Sequence, residues 1–364
     1  MRGRHFLYPL ALLSLTLWLG FLAWCLKRVA ANKAEAAAAA AALVPWDYQT
    51  KWDPLRMIML AERKSELHAP PEGICKARKE KVYKDSAQLL QLIEPWEGGE
   101  KSVPKILCLV YTYHKNQDNV RAIKETWASR CNGILVFSDE DDESIPTHRI
   151  KHIGEEVYHN IWQKNRAIWK HVHHWYKDDF DWFLISGDDT YFIMENMRKF
   201  LQSEEITAAS KVSRCLGQAP MYLGRRVKWA DGDGILFNAG SAGYILNRKA
   251  LGILNDNIDD ARCQAHVITA KEDVQVARCL ALGGVLPHDT RDALGRERFH
   301  PFTPGKHFSY RIPYFAFLGI YGWYPRYAID LKEGPDCCAP DSVSFHYITA
   351  DMMVWLYHQL YSCQ

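Results

Sequence analysis

Three short apolar runs separated by helical stretches constrain this chain more than any other feature. ILCLVYT at residues 106–112, GILVF at 133–137 and WFLIS at 182–186 read as buried strands. Between them, 120–130 reads as a helical segment and 155–176 as a long amphipathic helix. This strand–helix alternation implies a parallel sheet with helices on both faces. In α/β sheets of this kind the ligand crevice lies beyond the carboxyl ends of the strands. Chemistry is therefore expected directly after Ser186, at Gly187, Asp188, Asp189 and Thr190. Paired carboxylates on a strand-end turn can hold a hard divalent cation, with a diphosphate supplying further oxygens. A diphosphate leaving group needs that neutralisation as charge builds on it. The same pair also suits a solvated turn or a helix N-cap.

Ahead of this region, residues 6–26 (FLYPLALLSLTLWLGFLAWCL) carry no charge and are long enough to cross a hydrocarbon core as a helix. The run exceeds a usual signal-peptide h-region and no small-x-small cleavage site follows, so a retained anchor is expected. Arg2 and Arg4 precede the span while Lys27 and Arg28 follow it, and the positive-inside rule does not decide its orientation. Cysteine does. Ten are present, with no CxxC pair and no zinc-finger spacing. Buried thiols in a cytosolic protein are one account; behind an anchor, an oxidising lumen with several disulfides is the better one. The expected organisation is a cytoplasmic tail 1–5, an anchor 6–26, a stem 27–100 and a lumenal α/β domain 101–364, in a type II arrangement. The stem opens on an alanine run at 36–42 and continues polar, rich in Lys, Glu and Pro. Lys plus Arg at 45 nearly balance Asp plus Glu at 43, so no bulk field favours nucleic acid.

DWFLISGDDTYFIMENMRKFL resembles the metal-binding segment of the core 1 β1,3-galactosyltransferase (T-synthase) family, within the wider fringe-like glycosyltransferase group. Similar stretches follow in the same order: ILCLVYT, IKETWASRCN, YLGRRVKW, NAGSAGYILNRKAL, EDVQVARCL, DTRDALGRERFHPF and EGPDCCAPDSVSFHY, over roughly 105–347. The resemblance implies a GT-A (Rossmann-like) α/β fold in a Golgi or ER–Golgi membrane protein. It implies UDP-galactose as donor, Mn2+ as metal, and inverting transfer to the 3-hydroxyl of GalNAc on Ser or Thr of glycoproteins. By position, Asp189 matches the family's direct metal carboxylate, Asp188 the middle one, His346 in SFHY the metal-ligating histidine, and Asp273 the catalytic base. Gly240 and Gly243 match a small-residue stretch beside the donor sugar, with Ser241 in place of a glycine. The resemblance pairs Cys108 with Cys131, and Cys263 is expected to join Cys279. Cys337 and Cys338 match a Gly-Cys-Cys motif, with Asp336 for the glycine and their mutual bonding left open.

Arg225 and Arg226, after a candidate strand, are expected to contact the diphosphate or brace the acidic site; exposed arginines are also commonplace. Trp323 and Tyr324 are candidates to stack on an acceptor sugar, with core packing the alternative. His171, His173 and His174 read as surface residues of the long helix. One departure stands out: the family's aspartate triplet begins with Asp, and here that position is Gly187. If the missing carboxylate touches the donor, Gly187→Asp should tighten donor binding. A related chaperone lineage has lost the acidic motif and the SFHY histidine, and this chain keeps both. A non-catalytic chaperone or lectin of the same fold, and a transferase with another donor or acceptor, stay open, as does a homodimer.

Overall fold

The three apolar runs form adjacent strands, β1 (Ile106–Tyr111), β2 (Gly133–Ser138) and β4 (Trp182–Gly187), at the centre of a six-stranded sheet. The computed structural model describes residues 70, 72–76, 78–97, 104–142, 147–211, 218–314 and 322–363. Beyond β2 lies β3 (Thr147–Arg149); beyond β4 lie β9 (Tyr244–Asn247) and β6 (Tyr222–Gly224), giving the order β3-β2-β1-β4-β9-β6. The first four strands are parallel and β9 runs antiparallel to both its neighbours. Every residue of β2 and β4 is buried, and all of β1 except Tyr111, as strands covered on both faces require.

Alternation along β1 sorts its side chains between two cores. Ile106, Cys108 and Val110 pack with Trp127, Phe192 and Trp355 on one face. Leu107 and Leu109 pack with Trp162, Trp169 and Tyr176 on the other. The expected helices are shorter than their periodic patterns. The first is α2 (Gln117–Glu125), ended at Thr126, whose hydroxyl donates to the Ala122 carbonyl at 2.6 Å; a separate turn follows at Ala128–Arg130. The second is α3 (Ile161–Tyr176), preceded by a short turn at Tyr158–Asn160.

Beyond β4, the strand β5 (Thr190–Phe192) leaves the main sheet and pairs antiparallel with β11 (Ser344–His346), which lies parallel to β10 (Phe299–His300). A hairpin is formed by β7 (Arg226–Lys228) and β8 (Leu236–Asn238). The remaining helices are α1 (Lys81–Leu90), α4 (Met194–Leu201), α5 (Glu204–Ala209), α6 (Arg248–Asn257), α7 (Glu272–Leu282), α8 (Pro304–Ser309), α9 (Trp323–Tyr327) and α10 (Ala350–Tyr361).

Part of the expected stem is domain. Helix α1 buries Tyr83, Leu89 and Leu90 in the core, and Ile93 follows them. The Gly305 amide of α8 donates to Ser86 Oγ at 2.8 Å. Its lack of a side chain permits this approach, since a Cβ there would meet the Val82 carbonyl and the Ser86 backbone. Polar composition hid the segment because only one face of α1 is apolar.

Among the described residues four disulfides are present: Cys108–Cys131, Cys263–Cys279, Cys337–Cys338, and Cys75–Cys363, a pair for which the sequence gives no signal. Cys25 and Cys215 lie outside the described residues. So does the anchor expected at 6–26; among the described residues no helix is long and apolar enough to cross a membrane. His171 corrects the surface reading of α3. It is buried between Phe137 and Tyr176, where burial pulls its imidazole down to about 4.

Candidate functional site

After β1 the chain moves to one side of the sheet, toward β2; β4 lies on the other side of β1, next to β9. The order reverses between β1 and β4, and such a switch point opens a crevice at the strand ends. The strands finish in register there, Tyr111 beside Gly187. Over them lies a cleft of ≈ 860 Å³ whose walls include Asp188, Asp189, Glu272, Asp273 and His346.

Asp189 and His346 are 157 positions apart in sequence, and the ladder between β5 and β11 brings them together. His346 pairs with Thr190, and the Ile348 amide donates to the Asp189 carbonyl at 2.9 Å. His346 Nδ1 lies 3.2 Å from the Pro301 carbonyl. A carbonyl only accepts, so Nδ1 carries the proton and Nε2 presents a lone pair. That lone pair faces Asp189 Oδ1 at 3.2 Å. Two acceptors so close call for a cation or a proton between them. Ligand atoms at right angles on a small divalent ion, each about 2.1 Å away, would sit about 3 Å apart. The donor set therefore fits a divalent cation, and imidazole with carboxylate suits manganese among such ions.

Asp188 turns inward. It is 7% exposed, accepts from Thr112 Oγ1 at 2.5 Å, and is held above the ordinary carboxylate range by burial, which these hydrogen bonds oppose. The network continues: Lys164 Nζ, on α3, donates to the Thr112 carbonyl and to Glu156 Oε1, both at 2.6 Å. Lys164 thereby braces the end of β1 against α3. Periodicity marked Lys164 only as a helix residue.

Also lining the cleft, α7 opens with two carboxylates in contrasting surroundings. Asp273 reaches the cleft, with Oδ2 accepting from the Gly240 amide at 2.9 Å and Oδ1 from the Val274 amide at 2.9 Å. Glu272 is 3% exposed and bonds the Tyr244 hydroxyl at 3.0 Å. A Cβ on Gly240 would meet Glu272 Oε1, so a side chain there would have to displace the buried carboxylate. Burial first, and the neighbouring Asp273 second, push Glu272 up to about 8. Burial raises Asp273 as well, but the two backbone amides favour its charged form. Burial thus holds Glu272 protonated near neutrality, while the two amide donors to Asp273 favour its charged form against the burial that raises it.

A stability test follows. Folded Glu272 keeps its proton across the interval from the ordinary 4.5 to about 8, where the unfolded chain has released it. The native state binds more protons there, so its stability falls as pH rises through that interval. Melting temperature should drop from pH 5 to 8.5, and Glu272→Gln should flatten the drop by on the order of 5 °C. An unchanged slope in the variant would assign the pH dependence to other groups.

Several expected site residues lie elsewhere. Arg225 is fully buried, ion-paired with Glu297 and set against the Tyr324 ring. Arg226 pairs with Asp289 at 2.6 Å. Neither lines the cleft, and their ion pairs go to Glu297 and Asp289 rather than to the acidic turn, so the structure places both away from the expected site. Tyr324 is 4% exposed among Phe302, His307 and Tyr310, a core residue; Trp323 does line the cleft. Gly243 has φ +71°, and a Cβ there would lie 2.5 Å from Phe192, so its role is backbone packing beside β5. Residues the sequence did not mark include Tyr158 and Tyr347, aromatic side chains 74% and 56% exposed at the cleft. Tyr347 has φ 59°, a costly conformation for a bulky residue, and its ring stacks on Phe302.

Two clusters with metal-ligand chemistry lie outside the cleft among the described residues: His300 with His307 and Cys338, and His114 with Asp139 and Glu140. In the first, Cys338 is bonded to Cys337 and offers no thiolate.

Comparison with known proteins covers the same elements. The family described as Fringe-like matches residues 102–290. Glycoprotein-N-acetylgalactosamine 3-beta-galactosyltransferase 1 of Xenopus laevis is 32% identical over 259 residues, 71% of this chain and 66% of that protein. Chondroitin sulfate glucuronyltransferase of Homo sapiens is 29% identical over 161 residues, 44% of this chain and 19% of its own length. Chondroitin sulfate synthase 3 of Mus musculus is 29% identical over 175 residues, again 44% of this chain but 18% of its own. The chain thus spans about two thirds of the first relative and under one fifth of the other two. The matched family segment takes in more than half of the chain, from β1 through α7, with Asp188, Asp189, Glu272 and Asp273 inside it and His346 beyond. By that match the chain belongs to the Fringe-like family.

Proposed function

We propose that this chain is a metal-dependent, inverting galactosyltransferase that moves galactose from UDP-galactose to the 3-hydroxyl of GalNAc on Ser or Thr of glycoproteins. One observation carries the reading: a metal-type pair and a carboxylate held by two backbone amides face a single cleft at the switch point of the sheet. The 32% identity to a protein named for this reaction supports the choice of sugars. Asp189 and His346 hold the metal, with Asp188 supporting the turn from behind. Manganese, when bound, neutralises charge on the departing diphosphate. Asp273 accepts the proton of the attacking hydroxyl. Protonated Glu272 keeps a second negative charge away from it, and Trp323 contributes to the acceptor side. Four disulfides support a lumenal domain in the secretory pathway, and the apolar run at 6–26 supports a type II anchor in the Golgi membrane.

The experiment is a screen of UDP-sugars with manganese and a GalNAc-peptide. UDP-galactose is expected to be consumed, with a β1,3-linked disaccharide formed. Consumption of a different donor would reassign the substrate. Failure to bind any UDP-sugar would point to a non-catalytic relative that keeps the fold.

A further inference from the structure

At position 187 the family pattern calls for a carboxylate, and the structure has something else in that space. Tyr111 and Gly187 are register partners on neighbouring parallel strands. A Cβ built on Gly187 would lie 3.4 Å from Tyr111 Cε2 and 3.6 Å from Cζ, the carbon that bears the hydroxyl. It would also lie 3.1 Å from Asp189 Oδ1. The hydroxyl end of Tyr111 therefore covers Gly187, where a longer side chain would project. Tyr111 is the one residue of β1 that is not buried, and it lines the cleft. Among the described residues its hydroxyl has no hydrogen-bond partner. It lies within electrostatic reach of Asp189 of the metal pair and of Glu272 and Asp273 alike.

That position has a chemical meaning. In a single in-line displacement, the diphosphate is held at the metal and the attacking hydroxyl at the base. The transferred sugar sits between them. We propose that Tyr111 reads the transferred hexose, its phenol donating a hydrogen bond to a sugar hydroxyl from the place left open by Gly187. The inference rests on the galactosyltransferase reading and adds a specificity residue to it. It also reverses the expectation for Gly187→Asp: the new carboxylate would compete with the phenol ring for one space and press on Asp189.

The test compares UDP with UDP-galactose, which differ by the hexose alone, by calorimetry with manganese. Tyr111→Phe keeps the ring over Gly187 and removes only the hydroxyl. Its affinity for UDP should stay within about twofold of wild type, while its affinity for UDP-galactose falls about 5- to 10-fold, the scale of one hydrogen bond. Gly187→Asp should bind UDP-galactose more weakly, and adding Tyr111→Ala should recover part of that loss. Unchanged UDP-galactose affinity in Tyr111→Phe, equal losses for both ligands, or tighter binding by Gly187→Asp alone would each overturn the proposal. A wild-type protein that binds neither ligand would instead sink the galactosyltransferase reading, and this proposal with it.

Discussion

Alanine at either Asp189 or His346 is expected to abolish manganese-dependent UDP binding and to lower transfer by about 10³-fold or more, the rate equivalent of several kcal/mol of metal stabilisation. Each change leaves one protein ligand where two face each other at 3.2 Å. The fold should survive both. The ladder between β5 and β11 is built from backbone groups, and the Asp189 carbonyl that accepts from Ile348 is untouched by the substitution. Thermal stability adds a second reading, since manganese bound to the native state should raise the wild-type melting temperature. A cation site at this pair predicts that stabilisation by manganese disappears in both variants. If both still bind UDP with manganese at wild-type affinity, the metal is held elsewhere.

Asp273→Asn should reduce transfer to a GalNAc-peptide by about 10²–10⁴-fold, the usual worth of a positioned general base. Manganese and UDP affinity should stay near wild type, because the side chain of Asp273 is bonded to the Gly240 and Val274 amides and is not one of the metal pair. Stability will not be wholly spared. Both Asp273 oxygens accept backbone amides, from Gly240 and from Val274. Asn offers one oxygen and one amino group, so one of those amides loses its acceptor at a cost of about 1–3 kcal/mol. The measurement is single-turnover transfer on protein confirmed folded by calorimetry. Transfer near the wild-type rate would make Asp273 a structural tie between the loop and α7, with the base elsewhere.

The central strands were legible because they are long enough and apolar enough to leave no alternative. The acidic turn after β4 followed from topology, since parallel sheets place chemistry at strand ends. What topology alone could not supply was His346. Its partner strand β5 is three residues long, and nothing local announces that it pairs with another three-residue strand some 150 positions later. Resemblance to a family found that residue where physical patterning would have assigned it to the core. Arg225 failed in the opposite direction. A charged residue after a strand suggests an exposed ligand contact, but here the guanidinium is fully buried against Glu297 and Tyr324. Glu272 escaped notice because a carboxylate in the first turn of a helix is ordinary. Only its burial beneath Gly240 distinguishes it, and burial is a property of the assembled loop.

The pairing of Cys75 with Cys363 has a consequence in time. The two residues are 288 positions apart. Synthesised at about 5–20 residues per second, a chain needs roughly 15–60 s to pass from one to the other. Over that interval the thiol of Cys75 has no native partner, and the apolar face of α1 waits for most of it. Helix α8, against which α1 packs, emerges only toward the end of that wait. In the secretory pathway, a thiol and a hydrophobic face left open together invite mixed disulfides with other proteins there. Newly made chains are therefore expected to pass through a thiol-linked, oxidoreductase-bound stage that ends when Cys363 arrives. Pulse-labelling with alkylation should resolve that stage as a transient covalent adduct, and Cys75→Ser should eliminate the share of it that Cys75 forms.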